Sequence, residues 1–244
     1  MPLREHLREL RTRVLLITAG ILVGAVAGWV WYPEVFAVLQ DPLLQIEAQQ
    51  GELVALNFGG VATPLDLQLK LSLFAGVLVT SPWWIYQVWA FVTPGLSRKE
   101  RRYTVGFLAA AVPLFLAGAV LAWWILPKAV GLLVGLTPEG AVNVIDAQVY
   151  LGFIMRMVLA FGVSFLVPVV MVGLNAIGVV TARTLWSGWR WAVLVAFVFA
   201  AVATPTADAV SMAALAVPMC VLYFGAVGIC AITDRRRAAR EATA

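Results

Sequence analysis

Six apolar stretches, at residues 14–32, 71–92, 104–126, 150–180, 191–203 and 210–232, partition a sequence of 244 residues. Most are near the roughly 20 residues that a helix needs to cross a hydrocarbon core about 30 Å thick. Composition leaves no soluble alternative. Hydrophobic residues make up 62% and charged residues 12%, about half the charge of an ordinary soluble domain and too little polar surface to coat a globule of this size. The stretches have to be helices, because backbone amides in hydrocarbon need partners within their own segment; a barrel would show alternating strands of about ten residues. The sequence thus predicts an all-α integral membrane protein with six transmembrane helices in a single membrane domain. An arm at 1–13, outer segments at 33–70 and 127–149 that fold as a short helical cap, and a basic tail at 233–244 complete it.

Orientation follows from the basic residues, which favour the cytoplasmic side. Arg4, Arg8, Arg11 and Arg13 lie in the arm, Arg98, Lys99, Arg101 and Arg102 after the second stretch, Arg183 and Arg190 after the fourth, and Arg235, Arg236, Arg237 and Arg240 in the tail. All of these fall on one side. The opposite loops carry Lys128 against Glu34, Asp41, Glu47, Glu52, Asp66, Glu139, Asp146 and Asp208. Both termini are therefore expected in the cytoplasm. The positive charge, spread over four loops, is a topology signal rather than a nucleic-acid surface. Trp29, Trp31, Trp123 and Trp124 at outer ends, with Trp89, Trp186, Trp189 and Trp191 at inner ends, match the interfacial preference of that ring. Ala25-Val26-Ala27 resembles a signal-peptide cleavage site, but the apolar run continues to Tyr32 and has spanning rather than signal length.

Within the stretches, Gly20, Gly24 and Gly28 recur every four residues and permit close backbone approach, either inside the chain or against another subunit. Pro82, Pro113, Pro168 and Pro218 each remove a helical hydrogen bond and predict kinks, and unequal kinked helices suggest a curved, concave wall. The fifth stretch, with about 13 apolar residues, gives only about 20 Å of helix. Either the bilayer thins beside it or neighbouring helices shield its end.

Little here can do covalent chemistry. Cys220 and Cys230 are separated by about 15 Å along a helix, too far for a disulfide, and His6 is the sole histidine. No motif for a metal or nucleotide occurs, so no cofactor is expected. Polar residues inside the membrane, the usual functional candidates, reduce to Lys70, Gln87, Arg156 and Asn175. Arg156 either reaches the outer interface or pairs with Asp66, Asp146 or Asp208. No acidic or histidine chain crosses the membrane, and no serine–histidine dyad or aspartate pair is buried there, which disfavours a pump or an intramembrane protease.

Two carboxylates stand out. Glu9 lies in the basic arm and Glu100 in the basic loop Arg98-Lys99-Glu100-Arg101-Arg102. Carboxylates on one face can each grip a guanidinium through two parallel hydrogen bonds, so the pair could hold an arginine-bearing partner. Alternatively each neutralises its neighbours, as Glu9 could with Arg13 at i,i+4.

The residues also resemble a known family. His6-Leu7-Arg8-Glu9-Leu10-Arg11-Thr12-Arg13 is similar to the N-terminal motif of TatC, the multi-spanning receptor subunit of the twin-arginine protein translocase. The run from Tyr86 to Leu96, followed by Glu100-Arg101-Arg102, is similar to its second span and first cytoplasmic loop. Further matches lie at Asp41-Pro42-Leu43, Thr63-Pro64 with Asp66, Ser81-Pro82, Phe161-Gly162-Val163-Ser164-Phe165 with Pro168, and Thr204-Pro205 with Asp208 and Ser211. The resemblance implies a cell-membrane component that moves folded proteins bearing an Arg-Arg signal peptide, driven by the proton-motive force. Its implied partners are single-span subunits of the TatA and TatB type and further copies of itself. It also implies a cytoplasmic recognition patch at Glu9 and Glu100, supported or bordered by Arg11, Phe91, Pro94 and Leu96. Pro42 and Asp208 match positions tied to assembly or transport, and Ala201, Val202 and Ala203 a partner-helix contact. Leu166 and Phe224 stand where the family has acidic or amide residues inside the membrane, so partner recruitment through a polar contact is the function most exposed to this departure. A small-solute permease, the alternative from another class, would need polar groups converging at mid-membrane or a broken helix.

Overall fold

A computed structural model describes residues 3–50, 54–92, 101–135, 143–176, 178–203 and 209–241. Nine helices and two short strands occur among them: α1 (Leu3–Val30), α2 (Tyr32–Gln50), β1 (Val54–Asn57), α3 (Thr63–Val79), α4 (Ser81–Val92), α5 (Arg101–Val134), β2 (Asn143–Asp146), α6 (Ala147–Ala176), α7 (Ala182–Ser187), α8 (Trp189–Ala203) and α9 (Ala209–Glu241). The architecture is all-helical apart from the strand pair. Four helices are long and apolar enough to cross a membrane, and α3 with α4 makes a fifth span if the bent pair is counted as one. The shorter apolar helix α8 has 15 residues. The chain forms two units, one of residues 1–112 and 123–155, the other of residues 113–122 and 156–244.

In the first unit α1 lies against α3 at a distance only glycine permits. A Cβ added to Gly24 would sit 2.7 Å from Thr80 Cγ2 and 3.0 Å from the Gly76 Cα, and one on Gly76 would meet the Ala25 nitrogen and Ile21 oxygen at 2.7 Å. Gly28 faces Ser72 and Ala75, and Gly20 faces the Trp83 ring. The glycine stripe is thus used within the chain. The chain bends by 65° between α3 and α4. Pro82 has no N–H to extend the upstream helix, and the Trp83 and Trp84 amides restart the ladder from the Thr80 carbonyl at 2.9 and 3.1 Å. Trp84 Nε1 donates across the bend to the Val77 carbonyl, and Trp83 Nε1 donates to the Leu16 carbonyl of α1, both at 2.9 Å.

The segments at 33–70 and 127–149, expected as a short helical cap, hold helix together with a strand pair: β1 and β2 pair in parallel with Val54 opposite Asn143 and Asn57 opposite Asp146. Four-residue strands are too short to show a period in the sequence, and their backbone groups are satisfied only by a partner from elsewhere in the chain. The strand end seeds the next helix: Asp146 Oδ1 accepts from the Gln148 and Val149 amides at 2.8 and 3.0 Å, an N-cap for α6. Asp66 accepts from Lys70 and, at 2.8 Å, from Gln148 Nε2. Leu39, Leu43, Leu67, Leu71, Leu126 and Leu151 are buried in this unit, and the Tyr150 hydroxyl donates to the Leu39 carbonyl at 3.3 Å.

In the second unit, residues 113–122 of α5 meet α6 closely: a Cβ on Gly118 would lie 2.6 Å from the Phe161 oxygen, and one on Gly162 would lie 2.6 Å from the Phe115 ring. Thr181 caps α7 by accepting from the Thr184 amide at 3.3 Å. α9 runs past the expected span end at 232 through the basic residues to Glu241. Its Asp234 accepts from Asn175 Nδ2 and from the Ala182 amide, each at 2.8 Å, and its Arg237 Nη2 donates to the Ala176 carbonyl at 2.8 Å. These bonds fasten the α6–α7 connection to α9.

Candidate functional site

The N-terminal ends of α1 and the C-terminal end of α4 bring together part of the expected recognition patch. α1 continues through the arm from Leu3, so Glu9 and Arg13 lie on one face a helical turn apart. Their side chains are 24% and 26% exposed, and Arg13 Nη2 reaches Glu9 Oε1 at 3.4 Å. The shorter bond of the guanidinium goes elsewhere: Arg13 Nη1 donates to Gln87 Oε1 of α4 at 2.8 Å. Gln87 is 2% exposed, and a buried amide without a partner costs about 1–3 kcal/mol, which explains why it holds the arginine. One turn before Glu9, the His6 ring stacks on Phe91 of α4 with centroids 4.6 Å apart. Arg11 is exposed on α1. Below the patch Trp89 stacks on Phe107 with centroids 3.6 Å apart and an interplanar angle of 11°, which supports the end of α4.

Glu9 and Phe91 therefore share this corner of the first unit. Pro94, Leu96 and Glu100 lie outside the described residues, as does Asp208. The remaining candidates are dispersed. Pro42 is fully buried within α2, so any effect it has on assembly acts through the shape of that helix. Leu166 is half-buried on α6, and Ala201 and Val202 are exposed at the end of α8, where Ala203 is the last helical residue. Phe224 is 37% exposed on α9 and makes edge contacts with Trp186 and Tyr223, at 6.1 and 5.5 Å. In the second unit an apolar cavity of about 370 Å³ lies among α6, α7, α8 and α9, with Met171, Leu185, Trp191, Ala196, Cys220 and Tyr223 in its wall. Its wall is mainly apolar, with Ser164 and Tyr223 contributing hydroxyls and no charged side chain among the lining residues.

A family model described as Sec-independent protein translocase protein (TatC) matches residues 5–218. A Sec-independent protein translocase protein TatC of Xylanimonas cellulosilytica is 56% identical over 244 residues, covering 100% of this chain and 88% of that protein. The chain belongs to the TatC family. Another TatC relative, from Rothia mucilaginosa, is 38% identical over 238 residues, covering 97% of this chain and 81% of that protein. A crystal structure of a twin arginine translocase receptor, TatC, matches the fold with a TM-score of 0.81 at 30% identity, covering 93% of this chain and 98% of that one. As a TatC protein the chain is a Sec-independent translocase subunit, a transport component of the membrane and not an enzyme.

Two pairings at the α1–α4 corner escaped the sequence reading. Gln87 was visible as a rare polar residue in an apolar run, but not its bond to Arg13, 74 residues away. His6 was visible within the N-terminal motif, but its stacking on Phe91 depends on how α1 meets α4. Asp234 gave no signal at all, because an acid beside a basic tail looks like ordinary charge balance.

Proposed function

We propose that this TatC protein is the receptor of its translocase, taking the paired arginines of a folded substrate's signal peptide at the cytoplasmic ends of α1 and α4. In this reading α1, the bent pair α3–α4, α5, α6, α8 and α9 are six spans in the cell membrane, with both termini cytoplasmic. Support comes from the fourteen basic residues that fall in the arm, the two inner loops and the tail. Glu9 and Glu100 are the receiving carboxylates, Arg11, Phe91, Pro94 and Leu96 border them, and the signal's apolar segment lies along the helices.

The observation that carries the proposal is the state of Glu9. Its own cation, Arg13, approaches a single oxygen at 3.4 Å, beyond the roughly 2.7–2.9 Å of a charge-assisted bond. An incoming guanidinium can offer the carboxylate two shorter bonds than it now has. Single-span subunits of the TatA and TatB type and further copies of the chain are the proposed assembly partners, with Pro42, Leu166, Ala201, Val202, Ala203, Asp208 and Phe224 at or behind the contacts. Transport is powered by the proton-motive force. Leu166 and Phe224 make those contacts apolar, so packing rather than an intramembrane hydrogen bond holds the partner helices.

Photo-crosslinking of an Arg-Arg signal peptide tests the proposal. Glu9→Lys and Glu100→Lys should each abolish the crosslink while the protein still folds. Unchanged crosslinking to both variants would refute the assignment.

A further inference from the structure

We propose that Gln87 is a positioning residue that keeps Glu9 available by drawing Arg13 away from it, so that Arg13 holds the place of a substrate arginine until one arrives. The inference rests on the reading of Glu9 as a receiving carboxylate. Opposite charges a helical turn apart attract one another, and in a partly buried setting they close to a short charge-assisted bond. Glu9 and Arg13 do not close. The neutral amide oxygen of Gln87 has the 2.8 Å bond, and the carboxylate is left with 3.4 Å.

The cause is burial. Gln87 is 2% exposed in an otherwise apolar helix, where water cannot replace a lost donor. Its carbonyl is fixed from α4, and α4 is fixed to α1 by the Trp83 bond to the Leu16 carbonyl and by the His6–Phe91 stack. The guanidinium is therefore turned across to α4 instead of along α1. Arg13 sets its positive charge beside Glu9 at rest, yet the bond a peptide arginine must displace is the longer of its two. Once displaced, Arg13 remains held by Gln87 and is not expelled into the patch to repel the newcomer. Without Gln87 the arginine is left with Glu9 as its partner among the described residues and competes with the peptide for it.

The test measures equilibrium binding of a fluorescent Arg-Arg signal peptide to the purified full chain in detergent, with thermal unfolding as the folding control. Gln87→Met should weaken binding about tenfold, and adding Arg13→Gln to that variant should recover most of the loss. A purely structural glutamine would give a loss that removing Arg13 does not relieve. Gln87→Glu, which pulls Arg13 harder toward α4, should tighten binding, and Arg13→Gln alone should also tighten it. These two arms decide the matter if Gln87→Met fails to fold. Wild-type affinity in Gln87→Met, no recovery in the double variant, or weaker binding in both Gln87→Glu and Arg13→Gln would overturn the inference. Glu9→Gln tells the two readings apart: if that variant binds like the wild type, the assignment of Glu9 has failed and the role of Gln87 falls with it, whereas a binding loss in Glu9→Gln with wild-type affinity in Gln87→Met overturns the role of Gln87 alone.

Discussion

The α1–α4 corner of one unit and the α6–α7–α9 junction of the other use the same three kinds of side chain with opposite results. Each has an acid, an arginine within a turn of it on the same helix, and a buried amide from a second helix: Glu9, Arg13 and Gln87 in the first, Asp234, Arg237 and Asn175 in the second. At the second junction the amide donates to the acid, a backbone N–H completes it, and the arginine bonds a carbonyl instead. The acid is used up holding helices together. At the first corner the amide accepts from the arginine, so the acid keeps bonding capacity. In the proposed reading, an acid serves as a docking group or a brace according to which neighbour the buried amide engages. Residue type and spacing are nearly the same in both.

The contrast can be broken at several depths. Gly76→Leu strikes the seat of α1 on α3, where even a Cβ meets backbone at 2.7 Å. Overpacking against backbone costs about 3 kcal/mol or more, so the folded protein, measured by gel filtration in detergent, should be largely lost together with peptide binding. Asp234→Ala removes two charge-assisted bonds and should lower stability by about 3 kcal/mol in thermal unfolding, while the folded fraction binds the Arg-Arg peptide with unchanged affinity. Glu9→Gln should do the reverse. Its loose, partly exposed ion pair is worth under about 1 kcal/mol of stability, but peptide affinity should fall at least about tenfold, equivalent to about 1.4 kcal/mol. Arg237→Gln, which weakens a single exposed bond to a carbonyl, should cost about 1 kcal/mol or less and leave affinity alone. A large stability loss in Glu9→Gln, or a binding loss in Asp234→Ala, would erase the distinction between the two regions.

Much of this was legible in the sequence, for physical reasons that also mark where legibility stops. Apolar length and charge bias are one-dimensional signals, so the four helices long and apolar enough to cross a membrane and the isolated acid in the basic arm could be read directly. The Gly20–Gly24–Gly28 stripe showed that α1 approaches another backbone closely, but only the three-dimensional arrangement identified α3 as that backbone. Ser81-Pro82 marked a break in the helix, since proline has no amide to continue it, whereas the 65° angle depends on how Trp83 and Trp84 rebuild the ladder. Non-local pairings stayed hidden: β1 with β2, Gln87 with Arg13, and Asn175 with Asp234 each join residues far apart in the chain, and no local period encodes them.

A double-mutant cycle tests the central claim most directly, because it isolates one pairwise contact from every other effect of the substitutions. Affinities would be measured for wild type and Glu9→Gln against signal peptides carrying either arginine or glutamine at the paired positions. The account predicts a coupling energy of about 1.5–3 kcal/mol between Glu9 and a peptide arginine, and additivity when Asp234→Asn replaces Glu9→Gln in the cycle. Additive losses at Glu9 for both arginines would contradict it.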